Sequence, residues 1–126
     1  MRDYQQLRVW QKAMDVAEWT YVVSRSLPNQ ERYGLSAQIQ RASVSIASNV
    51  AEGAGRKSDR EFIRFLRIAY GSASEVETQA LLLQRVGLGN PADLDTLLVH
   101  TDDVRRMLSG LIGRLLRSDR PSAPAP

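Results

Sequence analysis

The chain has 126 residues, of which 43% are hydrophobic and 25% charged, and its 17 basic and 14 acidic side chains leave a net charge of +3. That is enough chain for one domain around a single core and unlike a disordered segment, while the lack of cysteine excludes disulfides and thiolate metal sites. A charge of +3 is too small in itself to imply a polyanionic partner, so its distribution matters more than its total.

Met1-Arg2-Asp3-Tyr4-Gln5-Gln6 has no apolar signal region behind it. No apolar run approaches the roughly 20 residues that span a bilayer. A cytoplasmic protein with no membrane partner is expected.

The first helix is expected from about Leu7 to Ser26. Val9, Ala13, Val16, Thr20 and Val23 recur at three- and four-residue spacing on one face, and Leu27-Pro28 ends the segment. Trp10, Met14, Trp19, Tyr21, Val22 and Val23 cover more of the circumference than the ~100° stripe of a surface helix. Either this helix is deeply buried or the protein self-associates.

After a turn at 29–34, a second helix over Leu35 to Glu52 carries the stripe Leu35, Ile39, Ala42, Ile46 and Val50. Gly53 and Gly55 are expected to end it as positions that tolerate positive φ. Asn49 near its seam suits register or a backbone bond. Ser58-Asp59-Arg60-Glu61 matches a capping box and opens the third helix. Phe62, Leu66, Ala69, Ala73, Val76, Ala80 and Leu83 follow at alternating spacings of four and three, which makes a core-facing seam ended by Gly87 and Gly89. Asn90-Pro91-Ala92-Asp93 starts the fourth helix, with the seam Leu94, Leu97, Thr101, Val104, Leu108, Leu111 and Leu115. Small residues let helices approach closely, and Gly71, Gly110 and Gly113 are read as packing positions. The resulting expectation is all-α: an antiparallel up-down-up-down four-helix bundle over residues 1–117, with a disordered Pro-rich tail over 118–126.

Little in the chain points to catalysis. The one histidine, His100, lacks the Glu-x-x-His partner of di-iron bundles. Gly53-Ala54-Gly55-Arg56-Lys57-Ser58 has the wrong glycine spacing for a phosphate-binding loop and follows a helix rather than a strand. Glu75 and Glu77 point to different helix faces. Ser43, Ser45 and Ser48 have no histidine neighbour in sequence. No enzyme, cofactor or metal site is expected.

The basic cluster is the informative stretch. Arg60, Arg64 and Arg67 share one face of the third helix, and Arg56 and Lys57 stand at its entry, where backbone N–H groups and the positive dipole end also attract phosphate. Arg41 extends the patch if the second and third helices are adjacent. Arg41, Arg56, Lys57, Arg60, Arg64 and Arg67 are thus the candidate nucleic-acid-binding residues. The same arginines suit a solvated face paired with Glu52, Glu75 or Asp103, or a surface that docks a protein partner. Phe65 and Tyr70 are read as core packing before base stacking.

Leu7-Arg8-Val9-Trp10-Gln11-Lys12-Ala13, Glu31-Arg32-Tyr33-Gly34-Leu35, Gln38-Ile39-Gln40-Arg41-Ala42, Ser45-Ile46-Ala47-Ser48-Asn49-Val50-Ala51-Glu52-Gly53, Glu61-Phe62-Ile63-Arg64-Phe65-Leu66 and Ala69-Tyr70-Gly71-Ser72 occur in that order. With them the chain, from about Tyr4 to Leu116, resembles the bacterial four-helix bundle family of 23S rRNA intervening-sequence proteins. More distantly it resembles the accessory variability protein of diversity-generating retroelements. The resemblance implies a four-helix bundle in a homopentameric ring, no enzymatic activity, and a basic surface proposed to contact RNA or DNA. In the retroelement branch it implies a reverse-transcriptase partner. Arg41, Arg56, Arg60, Arg64 and Arg67 fall where relatives look basic. Ala47 stands where the family commonly has proline, which implies a straighter second helix.

Overall fold

The computed structural model describes residues 3–118. Four helices carry the chain: α1 (Arg8–Arg25), α2 (Leu35–Ala54), α3 (Asp59–Val86) and α4 (Pro91–Ser118), with 3₁₀ turns at Tyr4–Gln6 and Asn29–Glu31. Each helix packs on the next and α4 closes back on α1, while the backbones of the diagonal pairs α1/α3 and α2/α4 stay further apart. Cross-helix contacts run in opposite chain directions. Ser45 meets Ser72 and Gly53 meets Phe65. Gln84 bonds Asp95 while Arg105 bonds Glu77. Lys12 pairs with Asp103 while Ser26 Oγ accepts the Asn90 N–H. The bundle is therefore antiparallel, up-down-up-down.

The seams read from the sequence form the core. All seven residues of the α3 seam, from Phe62 to Leu83, are buried, as are Val9, Ala13, Val16, Thr20 and Val23 of α1. Ile39, Ala42, Ile46 and Val50 of α2 and Leu94 through Leu108 of the α4 seam join them, with Leu35, Leu111 and Leu115 half-buried at the margins. Each fully buried leucine or isoleucine contributes about 1.5–3 kcal/mol. Two threonines sit in this apolar seam without loss, because Thr20 Oγ1 donates to the Val16 carbonyl (2.8 Å) and Thr101 Oγ1 to that of Leu97 (2.7 Å).

Local chemistry sets the helix ends. Ser58 Oγ accepts the Glu61 N–H at 3.2 Å and Asn90 Oδ1 that of Asp93 at 3.1 Å. Gly87 ends α3 at φ 74°, and the Leu88 N–H returns to the Leu83 carbonyl at 3.0 Å, a Schellman turn. α2 runs unbroken through buried Ala47.

Two expectations, both about glycines, need correction. α2 does not stop at Gly53: it continues to Ala54, Gly55 caps it at φ −80°, and neither glycine has positive φ. Gly53 instead admits α3, since a Cβ there would lie 2.7 Å from Phe65 Cβ and 2.9 Å from Phe62 Cδ1. Gly71, Gly110 and Gly113 are not packing positions: a Cβ at Gly71 meets nothing within 4 Å, and at Gly110 and Gly113 it meets only the guanidinium ends of Arg114 and Arg117. On α1, Trp10 and Trp19 lean on the core, which leaves Met14 and Tyr21 exposed. Of the proposed tail, Ser118 lies in α4 and residues 119–126 lie outside the described residues.

Candidate nucleic-acid interface

The close approach of α2 and α3 at Gly53 seats Phe65 half-buried beside the α2–α3 turn. Two arginines lie against its ring, with guanidinium carbons 4.9 Å (Arg56) and 4.7 Å (Arg64) from the centroid, within cation–π range. Arg56 also donates to Glu52 at 2.6 Å, one helical turn earlier, so its charge is partly answered. Phe65 is thus neither plain core nor a free stacking platform: it orders the two arginines.

Arg60, Arg64 and Arg67 are exposed along the outer face of α3. With Ile63, Ile68 and Leu116 they line a shallow groove of about 800 Å³. None of the three, nor Lys57 in the turn, has a carboxylate partner among the described residues. Of Glu52, Glu75 and Asp103, Glu52 pairs with the cluster, through Arg56, while Asp103 is engaged by Lys12 and Arg106. The start of α3 is less open to phosphate than its dipole suggests. Ser58 Oγ takes the Glu61 N–H, and Asp59 and Glu61 place negative charge in the first turn.

The structure sets Arg41 apart. It lies on α2 twelve residues before Gly53, about 18 Å along the axis, level with Ser72 and Glu75 rather than with the arginines of α3.

Topology supplies cations that the sequence cluster omits. The starts of α1 and α3 and the ends of α2 and α4 share one end of the bundle. Arg8, Arg106 and Arg114 line a groove between α1 and α4 there, and Arg117 follows on the last turn of α4. The contacts Lys12–Asp103, Ser45–Ser72 and Arg105–Glu77 divide the bundle into two halves. Residues 3–12, 44–74 and 104–118 carry eleven basic and four acidic side chains, whereas 13–43 and 75–103 carry four basic and nine acidic. In the basic half Arg8, Lys57, Arg60, Arg64, Arg67, Arg114 and Arg117 have no ion-pair partner among the described residues. Only after the helices are folded up and down does this segregation appear, so no single stretch of sequence displays it.

The other polar clusters hold the bundle together. Lys12 Nζ lies 2.7 Å from His100 Nδ1 and 3.3 Å from Asp103, and Trp19 stacks on the imidazole with centroids 6.1 Å apart. Lys12 is 88 residues from His100, and this tie between α1 and α4 was invisible in sequence. Ser43, Ser45 and Ser48 are on α2, diagonal to α4; the Ser43 hydroxyl donates to the Gln40 carbonyl and that of Ser45 meets Ser72, while His100 meets Lys12. Arg105 joins α4 to α3 through Glu77 (2.7 Å) and the Tyr70 hydroxyl (3.3 Å). Burial pulls the Arg105 guanidinium down, but these two partners more than offset it and leave its pKa above the ordinary arginine value. Asn49 donates to the Ser45 carbonyl and hydroxyl on its own helix, both at 2.9 Å. Among the described residues no three His, Asp or Glu side chains group as metal ligands, and no helix is long and apolar enough to cross a membrane.

No curated protein matches the chain. Among solved structures it is similar to a protein of unknown function from the S23 ribosomal protein family of Bacteroides thetaiotaomicron, at 26% identity and a TM-score of 0.76, over 82% of this chain and 97% of that one. Residues 5–110 match the family model described as 23S rRNA-intervening sequence protein. That span contains every seam but the last turns of α4, together with all six candidate cations, and the chain belongs to the 23S rRNA-intervening sequence protein family.

Proposed function

We propose that this chain is a non-enzymatic protein that binds nucleic acid through the basic end of its bundle and works as an oligomer. The observation that carries the reading is the segregation of charge, with seven cations at one end that lack ion-pair partners among the described residues. Arginine forks match phosphate oxygens, and a surface of this kind binds with strong salt dependence and little sequence preference. The family's description, with its 23S rRNA intervening sequence, makes RNA the first polymer to test.

Exposed apolar side chains support self-association. Leu81, Leu82 and Val86 stand on the outer face of the last turns of α3, in the half poor in cations. The pentameric ring implied by the resemblance would bring several basic ends onto one polymer. In the second reading the same apolar face docks a different protein and the chain is a scaffold. Light scattering at micromolar concentration should give a mass above the 14.1 kDa of one chain, and a monomer would remove the oligomer.

Binding is tested by fluorescence-anisotropy titration with structured RNA, duplex DNA and single-stranded DNA across a salt series. The native chain is compared with an Arg60→Ala, Arg64→Ala, Arg67→Ala variant whose helicity is checked by circular dichroism. Binding near physiological salt is expected, with the log–log slope flattened by about one for each lost phosphate contact. No binding at that salt by the native chain would move the search to protein partners.

A further inference from the structure

We propose that the recess between α2 and α3 at Arg41 and Glu75 holds a single unpaired guanine base. The proposal rests on the nucleic-acid reading and adds a place where a bound strand is read rather than only held.

The recess has a volume of about 290 Å³, small for an organic ligand but large enough for one base, and its polar lining is Gln38, Arg41, Ser45, Ser72, Glu75 and Gln79. Arg41 and Glu75 carry opposite charges into the same recess, yet they form no ion pair with each other or with any other described residue. Both are left open to a third group. Gln79 Oε1 is buried with no hydrogen-bond partner, and an orphaned buried acceptor is a feature that a ligand's donor would relieve. The floor is already committed. Ser45 and Ser72 hydroxyls lie 2.8 Å apart and Asn49 donates to Ser45, so the groups available to a ligand are the Arg41 guanidinium, the Glu75 carboxylate, the Gln79 amide oxygen and, at the exposed rim, the Gln38 amide.

Guanine is the base that fits this set. Its N1–H and N2–H form the parallel donor pair that a carboxylate accepts, and its O6 and N7 form the acceptor pair that arginine reads. The second N2–H suits the Gln79 oxygen. Adenine and cytosine present a ring acceptor where Glu75 requires a donor, and uracil offers one donor only. Such two-edged reading needs a base out of a duplex, which is how sequence-specific RNA recognition usually works. Glu75 lies eight residues beyond Arg67 on α3, about 12 Å along the axis, so a strand with its phosphates on Arg60, Arg64 and Arg67 has a base within reach of the recess.

The test uses labelled oligouridine RNAs with one central guanine, adenine or cytosine, titrated by anisotropy into the native chain and into Glu75→Gln. The guanine RNA should bind the native chain about tenfold more tightly than the others, and Glu75→Gln should bring the ratio close to one. Equal affinities for the native chain, with salt-dependent binding intact, would overturn the base pocket and leave the phosphate surface standing. If no RNA binds, saturation-transfer NMR with guanosine monophosphate, adenosine monophosphate and glycine decides the recess alone. Transfer to guanosine monophosphate only, lost in Glu75→Gln, would support it, and no transfer or equal transfer from glycine would overturn it.

Discussion

The two halves of the bundle share one core and differ on the outside. At the basic end seven cations have no ion-pair partner among the described residues, and the large apolar side chains left exposed there are Val44, Ile68 and Leu116. The other half has nine acids to four cations and exposes Met14, Tyr21, Tyr33, Leu81, Leu82, Val86 and Val99. The seam runs through both without a change of character, from Phe62 to Leu83 in α3 and from Leu94 to Leu108 in α4. What specifies the fold is therefore separate from what distinguishes the ends. The end rich in free cations suits a polyanion, and the end rich in apolar side chains suits protein contact.

The largest effect expected is on binding, and it asks whether the basic end acts as a whole. An Arg8→Ala, Arg114→Ala, Arg117→Ala variant, altered only on α1 and α4, should flatten the salt slope by about three, as the α3 triple does. An Arg25→Ala, Arg32→Ala, Arg85→Ala variant removes the same charge from the other half and should leave the slope within about half a unit of native. Equal losses from the two would break the comparison, because net charge rather than its placement would then govern affinity.

Next in size is Gly53→Ala. Its methyl would meet Phe65 Cβ at 2.7 Å and the Phe62 carbonyl oxygen at 3.3 Å, atoms close to the backbone that cannot swing aside. Overpacking of this kind costs about 1–3 kcal/mol, readable as a lower urea midpoint. The strain falls beside Phe65, which orders Arg56 and Arg64, so RNA affinity should fall as well. Lost stability with unchanged affinity would show that the arginines need no such ordering.

The core was legible because burial follows helical period: the α3 seam was read residue by residue, and so were the caps at Ser58 and Asn90. The glycines were misread for two different reasons. Gly71 lies between Ala69 and Ala73 in sequence but on the opposite side of the helix, and its period alone should have excluded it from packing. Gly53 is different, since its role depends on how closely α3 approaches, which no local pattern encodes. The candidate site was half legible. Arg60, Arg64 and Arg67 share a helix face that spacing reveals, whereas Arg8, Arg114 and Arg117 join them only once the up-down topology brings distant segments to one end. Arg41 was grouped with them on helix adjacency, and the adjacency holds, but its level on α2 places it by Glu75.

The smallest effect expected is at Gly71. It stands exposed in the middle of α3, between the arginines and Glu75, and a Cβ there meets nothing within 4 Å. Alanine is favoured over glycine in a helix interior by about 0.5–1 kcal/mol, so Gly71→Ala should raise the unfolding free energy by that amount, readable as a higher urea midpoint. If the polymer stays on the basic end, affinity for oligouridine should change less than about twofold, since no phosphate contact is lost. A strand running from Arg67 to the recess at Glu75 has to cross this bare stretch of helix. In that case the methyl would leave oligouridine binding alone and weaken only the added affinity for guanine. More stable protein with reduced discrimination would trace the path of the strand along α3, and more stable protein with discrimination intact would place that path on the α2 side.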